Sequence, residues 1–130
     1  MATLQEPRRV IVLDDEKVIA NTLALILNRS GYEACAVYTA EAAVETARKL
    51  SPDVLISDVI MRGMTGLEAA MRISQIAPRC RIILFSGQAS TADLLEEAKA
   101  NGHHFELLTK PVHPRTLLEH LSKSDGHADS

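Results

Sequence analysis

Along the chain, short uninterrupted apolar runs alternate with stretches in which apolar residues recur every three to four positions, with Gly, Pro, Ser or Asp at the joins. Runs that short suit strands buried on both faces, and the longer period suits helices that cover them, so the alternation predicts five βα units around a parallel sheet. Val10 to Leu13 is the first predicted strand, followed from Lys17 by a helix in which Ile19, Leu23 and Ile26 share a face until Gly31 ends it. The second strand, about Glu33 to Val37, is less apolar and suits a sheet edge. Thr39 is placed to cap a helix that buries Ala43, Ala47 and Leu50 and breaks at Ser51-Pro52. Val54 to Ser57 is the third strand, and its helix carries Leu67, Ala70, Met71 and Ile73 and stops near Pro78. Ile82 to Phe85 is the fourth strand. Ser90 and Asp93 have capping-box spacing before a helix bearing Leu94, Leu95 and Ala98, which Asn101-Gly102 terminates. Phe105 to Thr109 is the fifth strand, and Pro114 opens a last helix with Leu117, Leu118 and Leu121 toward the core.

Composition narrows the possibilities. The 130 residues are 46% hydrophobic and 24% charged, which fits one packed domain. The expected division is an N-terminal extension over 1–8, the folded domain over 9–122 and a polar, frayed tail over 123–130. With a net charge of −3 and scattered basic residues, no stripe tracks a phosphate backbone, so direct nucleic-acid binding is not expected. No signal peptide or bilayer-spanning run is visible, and the expected location is the cytoplasm. Cys35 and Cys80 lack metal-ligand spacing and are expected to be small buried side chains rather than a disulfide or zinc site.

The strands of a parallel sheet all end at one edge, so residues that follow them converge there. Asp14, Asp15 and Glu16 follow the first strand, Asp58 the third, Ser86 the fourth and Lys110 the fifth. Taken singly, either Asp14 or Asp15 is an ordinary helix cap, Ser86 a turn residue and Lys110 a solvated charge. Together they are harder to dismiss, because clustered carboxylates repel one another unless a cation is present. Oxygen ligands with positions left for water and phosphate suit Mg²⁺. On this basis Asp58 is the candidate nucleophile for an aspartyl phosphate, Lys110 neutralises phosphoryl oxygens and Ser86 bonds one of them. Gly87 leaves access to the phosphorus, though an ordinary turn glycine is as good an explanation. Ile60 and Gln88 line the expected approach.

Asp14-Asp15, Asp58, Ser86-Gly87 and Lys110-Pro111, each after its own strand, together resemble the receiver domain of two-component response regulators over about Arg9 to Ser122. The resemblance implies an α/β, flavodoxin-like fold: a doubly wound five-stranded parallel sheet in the order 2-1-3-4-5 with helices on both faces, for which a member of this family is a standard example. It implies that Asp15, Asp58 and the main-chain carbonyl of Ile60 ligate Mg²⁺, that Asp14 acts through water, that Lys110 binds the phosphoryl group and that a cis peptide precedes Pro111. It also implies a phosphorelay switch rather than an enzyme in the ordinary sense, although self-catalysed phosphotransfer and slow dephosphorylation come with it. The phosphoryl donor is then a histidine kinase or histidine phosphotransfer protein, and a separate protein is the downstream target.

Two positions depart from the family pattern. Arg62 stands where the loop after the phosphorylated Asp usually has Pro, and Leu107 stands where a Tyr or Phe usually precedes the Lys by three residues. Phe105 shares a strand face with Leu107, but plain packing is its simpler explanation. Activation is therefore expected to rest on Ser86 and the segment after it. The histidines at 103, 104, 113, 120 and 127 have no evident nucleophile or ligand partner in sequence, which also points to a donor on another protein. A small Mg²⁺-dependent phosphatase-like hydrolase is the alternative, without the Asp-x-Asp expected after its first strand. A receiver-like binding module that is never phosphorylated is another, opposed by the intact Asp15, Asp58 and Lys110. Flavin binding is weaker still, for want of loop aromatics and phosphate-binding glycines.

Overall fold

The structure, a computed structural model, describes residues 8–59, 65–86, 96, 99–100, 102 and 105–126. Strands β1 (Arg9–Leu13), β2 (Glu33–Val37), β3 (Val54–Asp58), β4 (Arg81–Ser86) and β5 (Glu106–Thr109) form one parallel sheet in the order β2-β1-β3-β4-β5. The described helices are α1 (Lys17–Arg29), α2 (Ala40–Leu50), α3 (Gly66–Ile76) and α4 (Pro114–Gly126). The helix expected after Ser90 falls mostly outside the described residues.

The period-two geometry of a strand sends alternate side chains to opposite faces, and both faces are covered. Val10, Val12, Ile56, Ile83 and Phe85 pack with Leu23 and Leu27 of α1 and Leu117 and Leu121 of α4. Ile11, Leu13, Leu55 and Leu84 pack with Ala43, Val44 and Ala47 of α2 and with Leu67, Ala70 and Ile73 of α3. Central strands β1 and β3 are therefore buried along nearly their whole length, whereas β2 and β5, at the edges, are only partly buried. Burying each large aliphatic side chain contributes about 1.5–3 kcal/mol, which makes these two layers the main driving force for the fold.

Most element ends fall where local chemistry requires. Thr39 Oγ1 accepts from the Ala42 N–H at 3.0 Å and starts α2, which ends at Ser51 in the left-handed region before Pro52. Gly31 turns the chain out of α1 with φ of 99°, a conformation that costs glycine nothing. Asp53 closes the edge of the sheet where the strands begin: its Oδ2 accepts from the Arg9 N–H at 2.8 Å, and its carbonyl accepts from the Arg81 N–H at 2.9 Å.

Several details differ from the sequence expectations. The buried stripe of α1 is Ala20, Leu23, Ala24 and Leu27; Ile19 and Ile26 flank it, because the small alanines let the helix lie close to the sheet. Leu50 and Met71 are half-buried rather than central. Strand β5 starts one residue late, at Glu106, and α4 runs through Gly126, past Ser122. Both cysteines are free and half-buried, and burial pushes the Cys80 thiol up to about 12. Among the described residues, no helix is long and apolar enough to cross a membrane.

Candidate functional site

The register of the sheet builds the site. Leu13 lies opposite Ser57 and Asp58 opposite Phe85, so the residues that leave β1 and β3 emerge side by side at one edge. Asp14 is held there at 2% exposure: its N–H donates to the Val37 carbonyl at 3.2 Å, and its Oδ1 accepts from the Glu16 N–H at 2.9 Å. Glu16 is thus the N-cap of α1, and Asp14 supports the turn into the helix from two residues away. Asp58, the last residue of β3, is buried, and Asp15 is exposed.

Carboxylate oxygens of Asp14, Asp15 and Asp58 lie within 4.8 Å of one another. Lys110 follows β5, whose pairing with β4 carries its N–H to within 3.0 Å of the Ser86 carbonyl. Its Nζ reaches Asp58 Oδ2 at 3.0 Å. Ser86 is buried at the end of β4, and the peptide between Lys110 and Pro111 is cis. Four of the sequence-predicted groups, Asp14, Asp15, Asp58 and Lys110, therefore converge in space, with Ser86 beside them on the adjoining strand. Ile60, Gly87, Gln88 and Arg62 lie outside the described residues. Phe105 packs against the α2–α3 side of the core, while Leu107 is 38% exposed on the outer edge of the sheet.

Among the described residues, Lys110 is the cation that meets this cluster of three acids. Burial pushes the Asp14 carboxyl above its usual range, and the charges of Asp58 and Asp15 push the same way; the Glu16 N–H and Lys110 only partly offset this. A group strained in this manner is relieved by a cation, and oxygen ligands with one carboxylate open to solvent suit a hard divalent ion that keeps some of its water. The residues present fit Mg²⁺.

Gly66, which closes the loop after Asp58 and matches the glycine of the family's loop pattern, is part of the same construction. It opens α3 directly against the back of Asp58, and its N–H donates to the Val59 carbonyl at 2.9 Å. A Cβ there would lie 1.8 Å from the Asp58 carbonyl oxygen and 2.6 Å from Ser57 Oγ. The adjacent capping box, Thr65 with Glu68, fixes the start of the helix at that close approach and was legible as a Thr-x-x-Glu pattern.

Beside Lys110 runs a groove of about 640 Å³. Val18, Ile19 and Leu23 of α1 and Phe85, Pro111 and Val112 wall it, and Glu16 and Lys110 are its charged members. Val18 is 78% exposed at its rim.

Two of the histidines prove to have partners. His113 Nδ1 accepts from the Arg115 N–H at 3.1 Å at the start of α4. His120 Nε2 lies 2.6 Å from Glu106 Oε1. His103, His104 and His127 lie outside the described residues.

A doubly wound sheet with an acidic cluster, a lysine and a hydroxyl at its C-terminal edge defines the receiver class of signalling domain. The response regulator receiver domain family matches residues 10–122, and the chain belongs to that family. The chemotaxis protein CheY of Thermotoga maritima is 32% identical over 117 residues, which span 89% of this chain and 96% of that protein. Among solved structures, the chemotaxis protein CheY4 of Vibrio cholerae superposes with a TM-score of 0.79 at 30% identity, covering 90% of this chain and 98% of that one. The signal receiver domain of an HD domain-containing protein from Pseudomonas fluorescens superposes with a TM-score of 0.83 at 25% identity, covering 98% and 93%. The probable transcriptional regulatory protein TcrX of Mycobacterium tuberculosis is 27% identical over 106 residues, and the match spans 82% of this chain but 44% of that regulator.

Proposed function

We propose that this receiver domain is a Mg²⁺-dependent phosphorylation switch in which Asp58 accepts the phosphoryl group. The observation that carries this is the placement of Lys110 Nζ 3.0 Å from Asp58 Oδ2, beside a cluster in which one carboxylate oxygen each of Asp14, Asp15 and Asp58 lie within 4.8 Å of one another. Asp14, Asp15 and Asp58 would hold the metal, which when bound neutralises charge on the phosphoryl oxygens.

The residues divide the remaining work. Asp58 is aimed by β3 and backed by Gly66, so its carboxylate meets an incoming phosphorus without reorganisation of the chain. A carboxylate oxygen of Asp58 attacks the phosphorus of a phosphorylated imidazole. The O–P bond forms as the P–N bond breaks, and the electron pair returns to the imidazole nitrogen, which takes a proton from solvent. Lys110 passes from the Asp58 carboxylate to a phosphoryl oxygen, and the Ser86 hydroxyl at the end of β4 supplies a neutral donor. The donor is a histidine kinase or histidine phosphotransfer protein, and the groove walled by Val18 and Val112 gives it an apolar approach beside Lys110. A separate protein reads the phosphorylated surface.

The test is incubation with a small phosphodonor and Mg²⁺. One hydroxylamine-labile phosphoryl group per chain, absent in Asp58→Ala, is the expected result. Release of many equivalents of phosphate would instead favour the phosphatase-like hydrolase, and failure to form any adduct would favour the unphosphorylated binding module.

A further inference from the structure

Strand β5 is ionically tied at both ends. At its C-terminal end Lys110 holds Asp58 at 3.0 Å. At its N-terminal end the Glu106 carboxylate accepts from Arg81 Nε at 2.5 Å and from Arg81 Nη2 at 2.7 Å. His120 of α4 meets the same carboxylate, with Nε2 at 2.6 Å from Oε1. The guanidinium also reaches the α4 backbone: Nη2 donates to the His120 carbonyl at 3.3 Å and Nη1 to the Leu121 carbonyl at 3.5 Å. One carboxylate thus gathers β4, β5 and α4 at the end of the sheet away from Asp58.

We propose that Arg81, Glu106 and His120 form a clamp that makes α4 follow β5, and through it the state of the Lys110–Asp58 pair. This extends the switch reading above by naming a route out of that site, and its first test needs no phosphorylation.

The physical case rests on the difference between apolar and directional contacts. Leu117 and Leu121 seat α4 on the sheet, but apolar packing has no preferred direction along the strand and tolerates small slides. A forked guanidinium–carboxylate pair fixes both distance and orientation, and here it is extended by an imidazole and two helix carbonyls. The side chains of Arg81, Glu106 and His120 are 18%, 35% and 33% exposed, so the network is sheltered without being cut off from water. Burial pushes the Glu106 carboxyl up, but the hydrogen bonds and charges of Arg81 and His120 outweigh it and hold the carboxyl below its usual range. Glu106 therefore stays ionised at neutral pH. The strand between the two ties is only the four residues Glu106–Thr109, all of them in extended backbone paired to β4. At about 3.3 Å per residue it is a short, stiff strut. Strand β5 borders the sheet, and Leu107 and Thr109 are exposed.

Amide hydrogen exchange of residues 114–126 in four proteins tests the clamp: wild type, Lys110→Met, Glu106→Gln and the double variant, with urea midpoints measured alongside to remove differences in global stability. Lys110→Met should change α4 exchange in the wild-type background, and the change should be at least about threefold smaller when Glu106→Gln is present. An equal response in both backgrounds, or no response of α4 to Lys110→Met in the wild type, would overturn the clamp. If Glu106→Gln does not fold, His120→Gln, which leaves the Arg81–Glu106 fork in place, takes its position under the same criterion. Addition of a small phosphodonor and Mg²⁺ forms the second arm. Wild type and Glu106→Gln should then take up phosphate equally while α4 responds less in the variant. An absent adduct in the wild type counts against the switch, and the first arm still decides the clamp.

Discussion

Replacing Gly66 by alanine adds one methyl group at the point where α3 meets the nucleophilic strand. That methyl carbon would sit 1.8 Å from the Asp58 carbonyl oxygen and 2.9 Å from its carbonyl carbon. Restoring the 3.0 Å that real Cβ contacts respect requires a movement of about 1.2 Å. The obstacle is backbone in the buried strand β3 and cannot rotate aside, so either α3 or Asp58 must shift. Overpacking of this kind costs about 3 kcal/mol, and the better helix propensity of alanine returns about 1 kcal/mol. The net loss of about 2 kcal/mol lowers the melting temperature by roughly 8 °C in a domain of this size. Because Asp58 carries the contact, its carboxylate also moves relative to Lys110, and acceptance of phosphate from a small donor should fall about tenfold or more. Urea unfolding followed by circular dichroism gives the first quantity and intact-mass kinetics the second. A Gly66→Ala protein within about 0.5 kcal/mol of wild type, phosphorylated at the same rate, would refute the close approach of α3 to Asp58.

Four other outcomes follow. Mg²⁺ at a hundredfold excess over its Kd should stabilise the wild type by about 2.7 kcal/mol in thermal or urea unfolding, EDTA should abolish the gain, and Asp58→Ala should lose most of it. The Asp14 carboxyl is raised in the fold, so metal-free stability falls as pH rises from 3.8 through the raised value and the cost is complete above it; Asp14→Asn should be more stable than wild type at pH 7 without Mg²⁺ and gain less when it is added. Glu106 behaves oppositely: its carboxyl is lowered from 4.5, so its contribution is present above that pH and lost as pH falls through the lowered value, and Glu106→Gln should flatten that part of the acid-unfolding curve. Val18→Asp, at a 78% exposed position, should leave stability within about 0.5 kcal/mol and phosphorylation by a small donor unchanged, while slowing transfer from a donor protein; equal slowing of both would remove the groove from the docking path.

Much of the fold was legible because strands and helices write their period into the chain. The bounds of β2, Glu33–Val37, and the cap at Thr39 follow from residues within a few positions of each other. The site was legible for a related reason: a parallel sheet gathers its strand ends, so Asp14, Asp15, Asp58, Ser86 and Lys110 could be assembled from order alone. Contacts between side chains from distant segments leave no such trace. Nothing near His120 announces Glu106, fourteen positions away, or Arg81 on another strand. Gly66 reads in sequence only as the glycine that closes a loop, and its packing role is visible only in the structure, where the Asp58 carbonyl oxygen lies 1.8 Å from the place a Cβ would take. In α1 the pattern points correctly to Leu23, but the large Ile19 and Ile26 outweigh Ala20, Ala24 and Leu27 in it, although the small alanines are the residues that let helix and sheet meet.

The most direct measurement is intact-mass analysis of the full chain with a small phosphodonor, with and without Mg²⁺, for the wild type, Asp58→Asn and Lys110→Met. The account predicts a single Mg²⁺-dependent, hydroxylamine-labile phosphoryl group in the wild type, none in Asp58→Asn, and a much slower rise in Lys110→Met. An adduct that persists in Asp58→Asn, or a wild type that takes up no phosphate under any donor, would contradict it.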